Sequence, residues 1–207
     1  MNKFIEMQKI IRSYFDSFNK VYFESSLPDV IITIQSKGRK TNTLGWFTVN
    51  KIWTNNDKEL HEINLSAEYL NRPTEKILGT LLHEMVHLYC AVNDIKDVSR
   101  GSTYHNKNFK EMAEKCGLIV TKDNRVGFGY TEASPELIDF IKKHPQYYQF
   151  NIYRNTLSVR NKPKKKKVYY RYECVVCSGK ARTTEPLDLV CCNELMNVEI
   201  RGGDNND

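Results

Sequence analysis

The sequence predicts an α+β body carrying a small β module at its C-terminal end. Three observations lead there. Two long stretches, residues 3–18 and 73–91, repeat their apolar residues at helical spacing. Short β-rich runs at 30–34, 44–49 and 63–65 lie between them. Four of the six cysteines fall in the last 34 residues, beyond a lysine-rich run.

Taken in order, Phe4, Met7, Ile11, Tyr14, Phe15 and Phe18 share one helical face, so residues 3–18 read as an amphipathic helix. Residues 30–34 read as a buried strand. Residues 44–49 are a second, with Gly45 permitting close backbone approach. Asn55-Asn56-Asp57 marks a turn, because these side chains bond their own main chain and tolerate left-handed backbone. Residues 63–65 form a short third strand. Pro73 suits a first helical turn, where a missing N–H costs no intrahelical bond. The helix it opens runs to about Ala91 on a core stripe of Ile77, Leu81, Leu82, Met85, Leu88 and Tyr89. After a polar loop at 93–102, a further helix starts near Ser102 or Thr103, either of which can cap it, and stops at Gly117. Ser134-Pro135-Glu136 opens a short helix to about Lys143.

At 207 residues the chain can hold one compact core plus an appendage, or two small domains. With 40% hydrophobic and 27% charged residues it is neither disordered nor collagenous. No apolar run approaches the ~20 residues of a membrane span. Lys3, Glu6, Lys9 and Arg12 interrupt any signal-peptide core. A cytoplasmic location without membrane contact is expected. Clustered cysteines there read as metal ligands before disulfides.

Charge is unevenly placed. Residues 141–172 hold ten cations and no acid, and removing those ten from the net +6 leaves the rest of the chain at −4. Lys162, Lys164, Lys165, Lys166 and Lys167 around Pro163 resist packing and read as a linker. With Arg171 they are the candidate nucleic-acid contacts, since cations track a phosphate backbone. Tyr147, Tyr148, Phe150, Tyr153, Tyr169, Tyr170 and Tyr172 add rings that stack on unpaired bases, as in single-stranded DNA. The alternative is a plain spacer whose tyrosines pack on the body. The expected organisation is a body at 1–145, a basic and aromatic linker at 146–167, and a cysteine module at 168–203.

His83-Glu84-Met85-Val86-His87 is H-E-x-x-H. Residues four apart on a helix share a face, so both imidazoles can reach one metal ion. Glu84, one residue past the first ligand, is placed to take a proton from water activated by zinc. With five His and fifteen Glu in the chain, about 0.01 chance matches are expected, and this one falls inside an independently expected helix. A catalytic zinc takes three protein ligands and keeps one position open. The spacing with a Gly three and a His six residues after the second histidine fails, because Cys90 and Asn93 stand there. Glu111, Glu114 and His105 remain. At 100° per residue His105 shares the apolar face of Phe109, Met112 and Cys116, while Glu111 lies 120° off it and Glu114 opposite. His105 is therefore the expected third ligand.

At this point the chain resembles SprT-like zinc metallopeptidases. The resemblance rests on Gly45-Trp46-Phe47, Ile63-Asn64-Leu65-Ser66, Pro73, the run from Leu81 to His87, His105 with Phe109 four residues later, and Cys116-Gly117. It covers about residues 4–130, with one departure at Asn106, where the family often has Gly. It implies a minigluzincin-type zincin domain with a small antiparallel sheet and an H-E-x-x-H helix. It also implies an endopeptidase whose best-known relatives cleave DNA-bound proteins, crosslinked ones included. In zincins the strand before the active-site helix commonly forms the rim for an extended substrate, which here would be 63–65. A C-terminal cysteine module is also usual in the family, normally with two C-x-x-C pairs. Cys174 and Cys177 supply the first. Cys191 and Cys192 are adjacent, with Leu189 at the partner position, so either Cys191 completes a second, structural zinc site of this zinc-ribbon-like module with altered geometry, or the site has three ligands or no metal.

The remaining residues have plainer readings. Cys90 and Cys116 are expected as buried thiols, and His61 and His144 as solvent-facing residues flanking turns. Tyr89, Tyr104 and Tyr130 are open candidates for donating to an oxyanion. The function expected is zinc-dependent cleavage of exposed protein segments, with DNA as a partner. The alternative is a non-proteolytic nucleic-acid-binding protein using the basic linker and the cysteine module.

Overall fold

The computed structural model describes residues 2–36, 43–155 and 168–201. The chain divides into two compact units, Met1–Leu157 and Ser158–Asp207. The first opens with α1 (Lys3–Tyr22), capped by Asn2, whose side chain accepts the Phe4 N–H at 2.9 Å. Met7, Ile10, Ile11, Tyr14, Phe15 and Phe18 are its buried face. β1 (Val30–Gln35), β2 (Gly45–Asn55) and β3 (Lys58–Ser66) follow, in spatial order β1-β3-β2. Asn56, at φ 51°, turns the chain between β2 and β3, as its side chain type favours.

Strand order corrects two expectations. β3 pairs antiparallel with β2 but parallel with β1, so this sheet is mixed rather than antiparallel. The proposed rim at 63–65 lies in β3, the middle strand. Its backbone is already hydrogen-bonded on both sides, which leaves no edge for a peptide to join. The edge beyond β3 is β2, where a register shift between Thr48 and Trp53 takes residues 49–52 out of the ladder.

A 3-10 turn at Ala67–Tyr69 leads to α2 (Thr74–Val92), with Pro73 at its N-cap. Ile77, Leu78, Leu81, Leu82, Met85, Val86 and Leu88 are fully enclosed. α2 packs against α1, β2 and β3, and against residues 107–115, 127–133 and 135–143 further along the chain. A helix apolar on most sides belongs at the centre of a domain. Thr80, His83 and His87 form a narrow stripe that stays partly open.

Next come β4 (Val98–Ser99), β5 (Tyr104–His105), α3 (Lys107–Lys115), β6 (Leu118–Asp123) and β7 (Gly127–Ala133). The strands form a second sheet of order β4-β5-β7-β6. The helix start expected at Ser102 or Thr103 is corrected. Ser102 is left-handed at φ 64°, and the cap is Asn106, which accepts the N–H groups of Asn108 and Phe109 at 2.8 and 3.3 Å. Gly117 ends α3 in left-handed backbone at φ 79°, as its sequence position suggests. The β6–β7 pair has no counterpart in the sequence reading, since its glycines and charged residues dilute the β-rich signal.

α4 (Pro135–Lys143) starts at Ser134, whose hydroxyl accepts the Leu137 N–H at 3.2 Å. The chain then folds back onto the body. The Phe150 N–H donates to Thr74 Oγ1 at 3.1 Å, and Thr74 donates to the Tyr148 carbonyl at 2.8 Å. Phe150 is buried, and the Arg154 N–H donates to the Ala67 carbonyl at 2.9 Å. Residues 146–155, expected as linker, thus pack on the body through these backbone bonds and the buried Phe150 ring. Lys162, Lys164, Lys165, Lys166 and Lys167 lie outside the described residues. Both histidines expected in solvent are instead packed: His61 against Phe47, and His144 against Tyr14 with Nε2 3.0 Å from Ser17 Oγ.

The second unit has a three-stranded antiparallel sheet of order β12-β8-β9 and a hairpin, β10–β11. These are β8 (Tyr169–Glu173), β9 (Lys180–Thr183), β10 (Val190–Cys191), β11 (Glu194–Leu195) and β12 (Asn197–Arg201). Tyr172 is its buried ring, and its hydroxyl accepts the Leu187 N–H at 2.8 Å. Among the described residues, no helix is long and apolar enough to cross a membrane.

Candidate metal centres

α2 presents His83 and His87 one turn apart on its open stripe, and β5 brings His105 across to them. His105 Nε2 stands 3.3 Å from His83 Nε2 and 3.1 Å from His87 Nε2. Zinc–nitrogen bonds of about 2.0–2.1 Å in tetrahedral geometry separate two ligand nitrogens by about 3.3–3.4 Å. The three imidazoles therefore fit one zinc-sized ion.

The opposite ring nitrogens explain that convergence. His87 Nδ1 donates to Asp97 Oδ2 at 2.5 Å, and His105 Nδ1 to the Val126 carbonyl at 3.2 Å. His83 Nδ1 lies 2.9 Å from Thr131 Oγ1. With Nδ1–H donating in His87 and His105, Nε2 is their free lone pair, the arrangement that metal-binding histidines adopt, and the Thr131 hydroxyl can accept from His83 in the same way. Phe109 lies under all three rings, its centroid 4.6–4.7 Å from each. β7 supplies the seat for His105. A Cβ at Gly129 would stand 2.7 Å from His105 Nδ1, and one at Gly127 would collide with the His105 carbonyl. Burial, then the neighbouring imidazoles, lowers the pKa of His83 well below its ordinary value and that of His105 to about 4. Both rings are thus neutral at pH 7, the form that ligates metal.

Glu84 is buried on α2 beside β2. A Cβ at Gly45 would stand 3.3 Å from Glu84 Oε1, 3.0 Å from Thr80 Cγ2 and 2.8 Å from the Asn64 carbonyl. Glycine at 45 is what lets the edge strand come this close to the helix. The other third-ligand candidates face away: Glu111 is exposed, and Glu114 pairs with Lys110 at 3.7 Å. Of the three tyrosines, Tyr89 packs on Phe23, and Tyr104 lies beneath the Arg100 guanidinium. Strand alternation turns Tyr130 to the opposite face from Thr131.

Sequence reasoning missed Asp97, Val126, Gly127, Gly129 and Thr131. Asp97 carried a usable signal, an acid in the loop directly after the H-E-x-x-H helix. The β7 residues carried none, because their role depends on which strands pair.

In the second unit the Sγ atoms of Cys174, Cys177, Cys191 and Cys192 all lie within 4.8 Å of one another. Cys191 is 3.6 Å from Cys177 and 3.9 Å from Cys192, against about 3.8 Å for two thiolates on one tetrahedral zinc. Left-handed backbone at Cys192 and Asn193, φ 52° and 63°, bends the chain so that adjacent sulfurs face inward together. A Cβ at Gly179 would press on Cys177 Sγ at 3.2 Å. Backbone N–H groups of Cys177 and Val176 pull the Cys174 thiol down to about 7. The surrounding sulfurs push Cys191 up to about 12. A cation relieves that crowding, so this donor set also suits zinc.

A tri-histidine centre on an H-E-x-x-H helix within an α+β fold defines a zinc-metallopeptidase-like domain. The SprT-like family model matches residues 11–128, more than half the chain, and the chain belongs to that family. The match contains His83, Glu84, His87 and His105. No curated protein and no solved structure matched the chain.

Proposed function

We propose that the protein is a zinc-dependent endopeptidase that cleaves exposed segments of proteins held on DNA. The observation that carries this reading is the convergence of three imidazole Nε2 atoms next to a buried glutamate on the same helix. His83, His87 and His105 would hold the zinc, which when bound would supply Lewis acidity for a scissile carbonyl and for water near neutral pH. Glu84 takes the proton from the attacking water and returns it to the leaving amine. Its burial withdraws the carboxylate from bulk solvent. β2 is the edge along which an extended substrate pairs, because it starts at Gly45 beside Glu84.

In this reading the four cysteines of the second unit would hold a structural zinc, and the unit would contact DNA. Arg171 and Arg182 stand directly opposite each other across β8 and β9, with the Arg182 guanidinium 3.8 Å over the Tyr169 ring. Glu199 stands opposite Arg171 on its other side, across β8 and β12, and offsets part of that charge. A phosphate backbone would take up the remaining positive charge, to which Lys162, Lys164, Lys165, Lys166 and Lys167 add along the chain. We place the protein in the cytoplasm, where six free thiols stay reduced.

Glu84→Gln tests the enzyme reading against the purely DNA-binding one. The variant is expected to keep its zinc and its DNA affinity while cleavage of casein or a DNA-bound histone falls by about 100-fold or more. Equal cleavage by variant and parent would remove the peptidase. DNA affinity should fall steeply between low and physiological salt, and a salt-independent affinity would remove the phosphate track.

A further inference from the structure

Arg72, in the turn before α2, is largely withdrawn from solvent, and that burial lowers its pKa. Its Nε donates to the Tyr69 carbonyl at 2.8 Å and its Nη2 to Thr80 Oγ1 at 3.2 Å. Among the described residues it has no carboxylate partner. The acids beside it in the chain are engaged elsewhere. Glu68 pairs with Arg154 at 3.6 Å, and Glu75 with Lys142 at 3.8 Å and the Tyr147 hydroxyl at 2.9 Å. A guanidinium carries five N–H donors, so among the described residues both on Nη1 and the second on Nη2 are left as a fork. A partly buried cation with an open fork attracts an anion more strongly than one in bulk water.

The place of Arg72 says which anion. Thr80 lies on the open stripe of α2, one turn before Glu84, and its methyl group faces Gly45 on the free-edged strand β2. One helical turn is about 5.4 Å, and an extended peptide advances about 3.3–3.4 Å per residue. We propose that Arg72 forms a carboxylate-binding subsite at the Thr80 end of the open stripe of α2, beside the start of β2. It takes an acidic side chain or the terminal carboxylate of the bound polypeptide about two residues from the scissile bond. This inference rests on the peptidase reading and adds a substrate preference to it.

The test uses the zinc-loaded full chain and fluorogenic peptides that differ only by Glu or Gln at successive positions, each with a free or an amidated C-terminus. At one position kcat/KM should favour Glu on the order of tenfold, through KM. A gain at internal Glu identifies a side-chain carboxylate, and a gain confined to free C-termini identifies the terminal one. Arg72→Met should erase the preference and Arg72→Lys should keep part of it, with melting temperature and zinc content confirming that each variant folds. Binding of the same peptides to Glu84→Gln, read by fluorescence anisotropy, should show the same ratio in Kd. Equal use of every Glu and Gln peptide by the parent, or a preference surviving in Arg72→Met, overturns the subsite while leaving the peptidase intact. Acid-selective binding without any cleavage by the parent does the reverse.

Discussion

Each imidazole of the first centre is oriented by a different kind of acceptor, and only His87 has a carboxylate behind it. Asp97 serves two ligands at once. Its side chain holds His87, and its backbone carbonyl accepts the Asn106 N–H at 2.9 Å, one residue from His105. Asn106 and Asn108 both donate to the neighbouring Lys96 carbonyl, at 2.7 and 2.8 Å, which pins the loop. Asp97→Ala is therefore expected to weaken zinc binding by about 10–100-fold, measured by chelator competition, and an unchanged affinity would make Asp97 a bystander. The depressed pKa values of His83 and His105 have a consequence for the zinc-free chain. Between an unfolded value near 6.5 and a folded value near 4, the unfolded imidazole binds the proton and the folded one does not. Stability is thus fully present above about pH 6.5 and declines as pH falls towards 4. The urea midpoint of zinc-stripped protein should drop between pH 7 and pH 4.5, and a flat midpoint would contradict the assigned burial.

Among the elements, β7 does the most to define the centre, although it supplies no ligand. It holds His83 through Thr131, and it seats His105 by lacking side chains at Gly127 and Gly129. Gly129→Ala places a methyl group against the His105 ring and should lower zinc occupancy of the tri-histidine centre while the cysteine centre stays filled. Metal analysis of the separated variant reads this directly, and full occupancy of both centres would count against the seat. Helical phase places His105 on α3, one turn before Phe109, whereas the structure puts it outside that helix. His105 lies in β5, before the cap of α3, yet it still meets Phe109, because the chain enters α3 with that ring turned towards α2. Asn106, the departure from the family pattern, is that cap, so a short polar side chain there has its own local reason.

The two candidate metal centres fall in separate units. The tri-histidine centre and all its supports lie between residues 83 and 131, wholly inside the first unit, while the four cysteines lie inside the second. The full chain should bind two zinc ions, and Cys174→Ser should bind one. That variant should still cleave a free peptide at close to the parent rate but lose activity towards a DNA-bound protein, since a module this small has little core without its metal. Loss of peptide cleavage as well would mean that the first unit depends on the second.

The chemistry-bearing residues were legible in the chain because their signals are local. H-E-x-x-H sits within five residues of one helix, the cysteines cluster in a short segment, and caps such as Ser134 act on the next turn. What the chain did not disclose depends on pairing between distant segments. β3 became the middle strand because β1 and β2 take its two edges from different stretches of sequence. Residues 146–155 joined the body because Thr74, far back in the chain, offers their backbone a partner. The open fork of Arg72 and the inward turn of adjacent Cys191 and Cys192 are likewise matters of which groups meet in space. Periodicity reports a residue's immediate neighbours along the chain, whereas hydrogen bonding and packing between remote segments decide its surroundings.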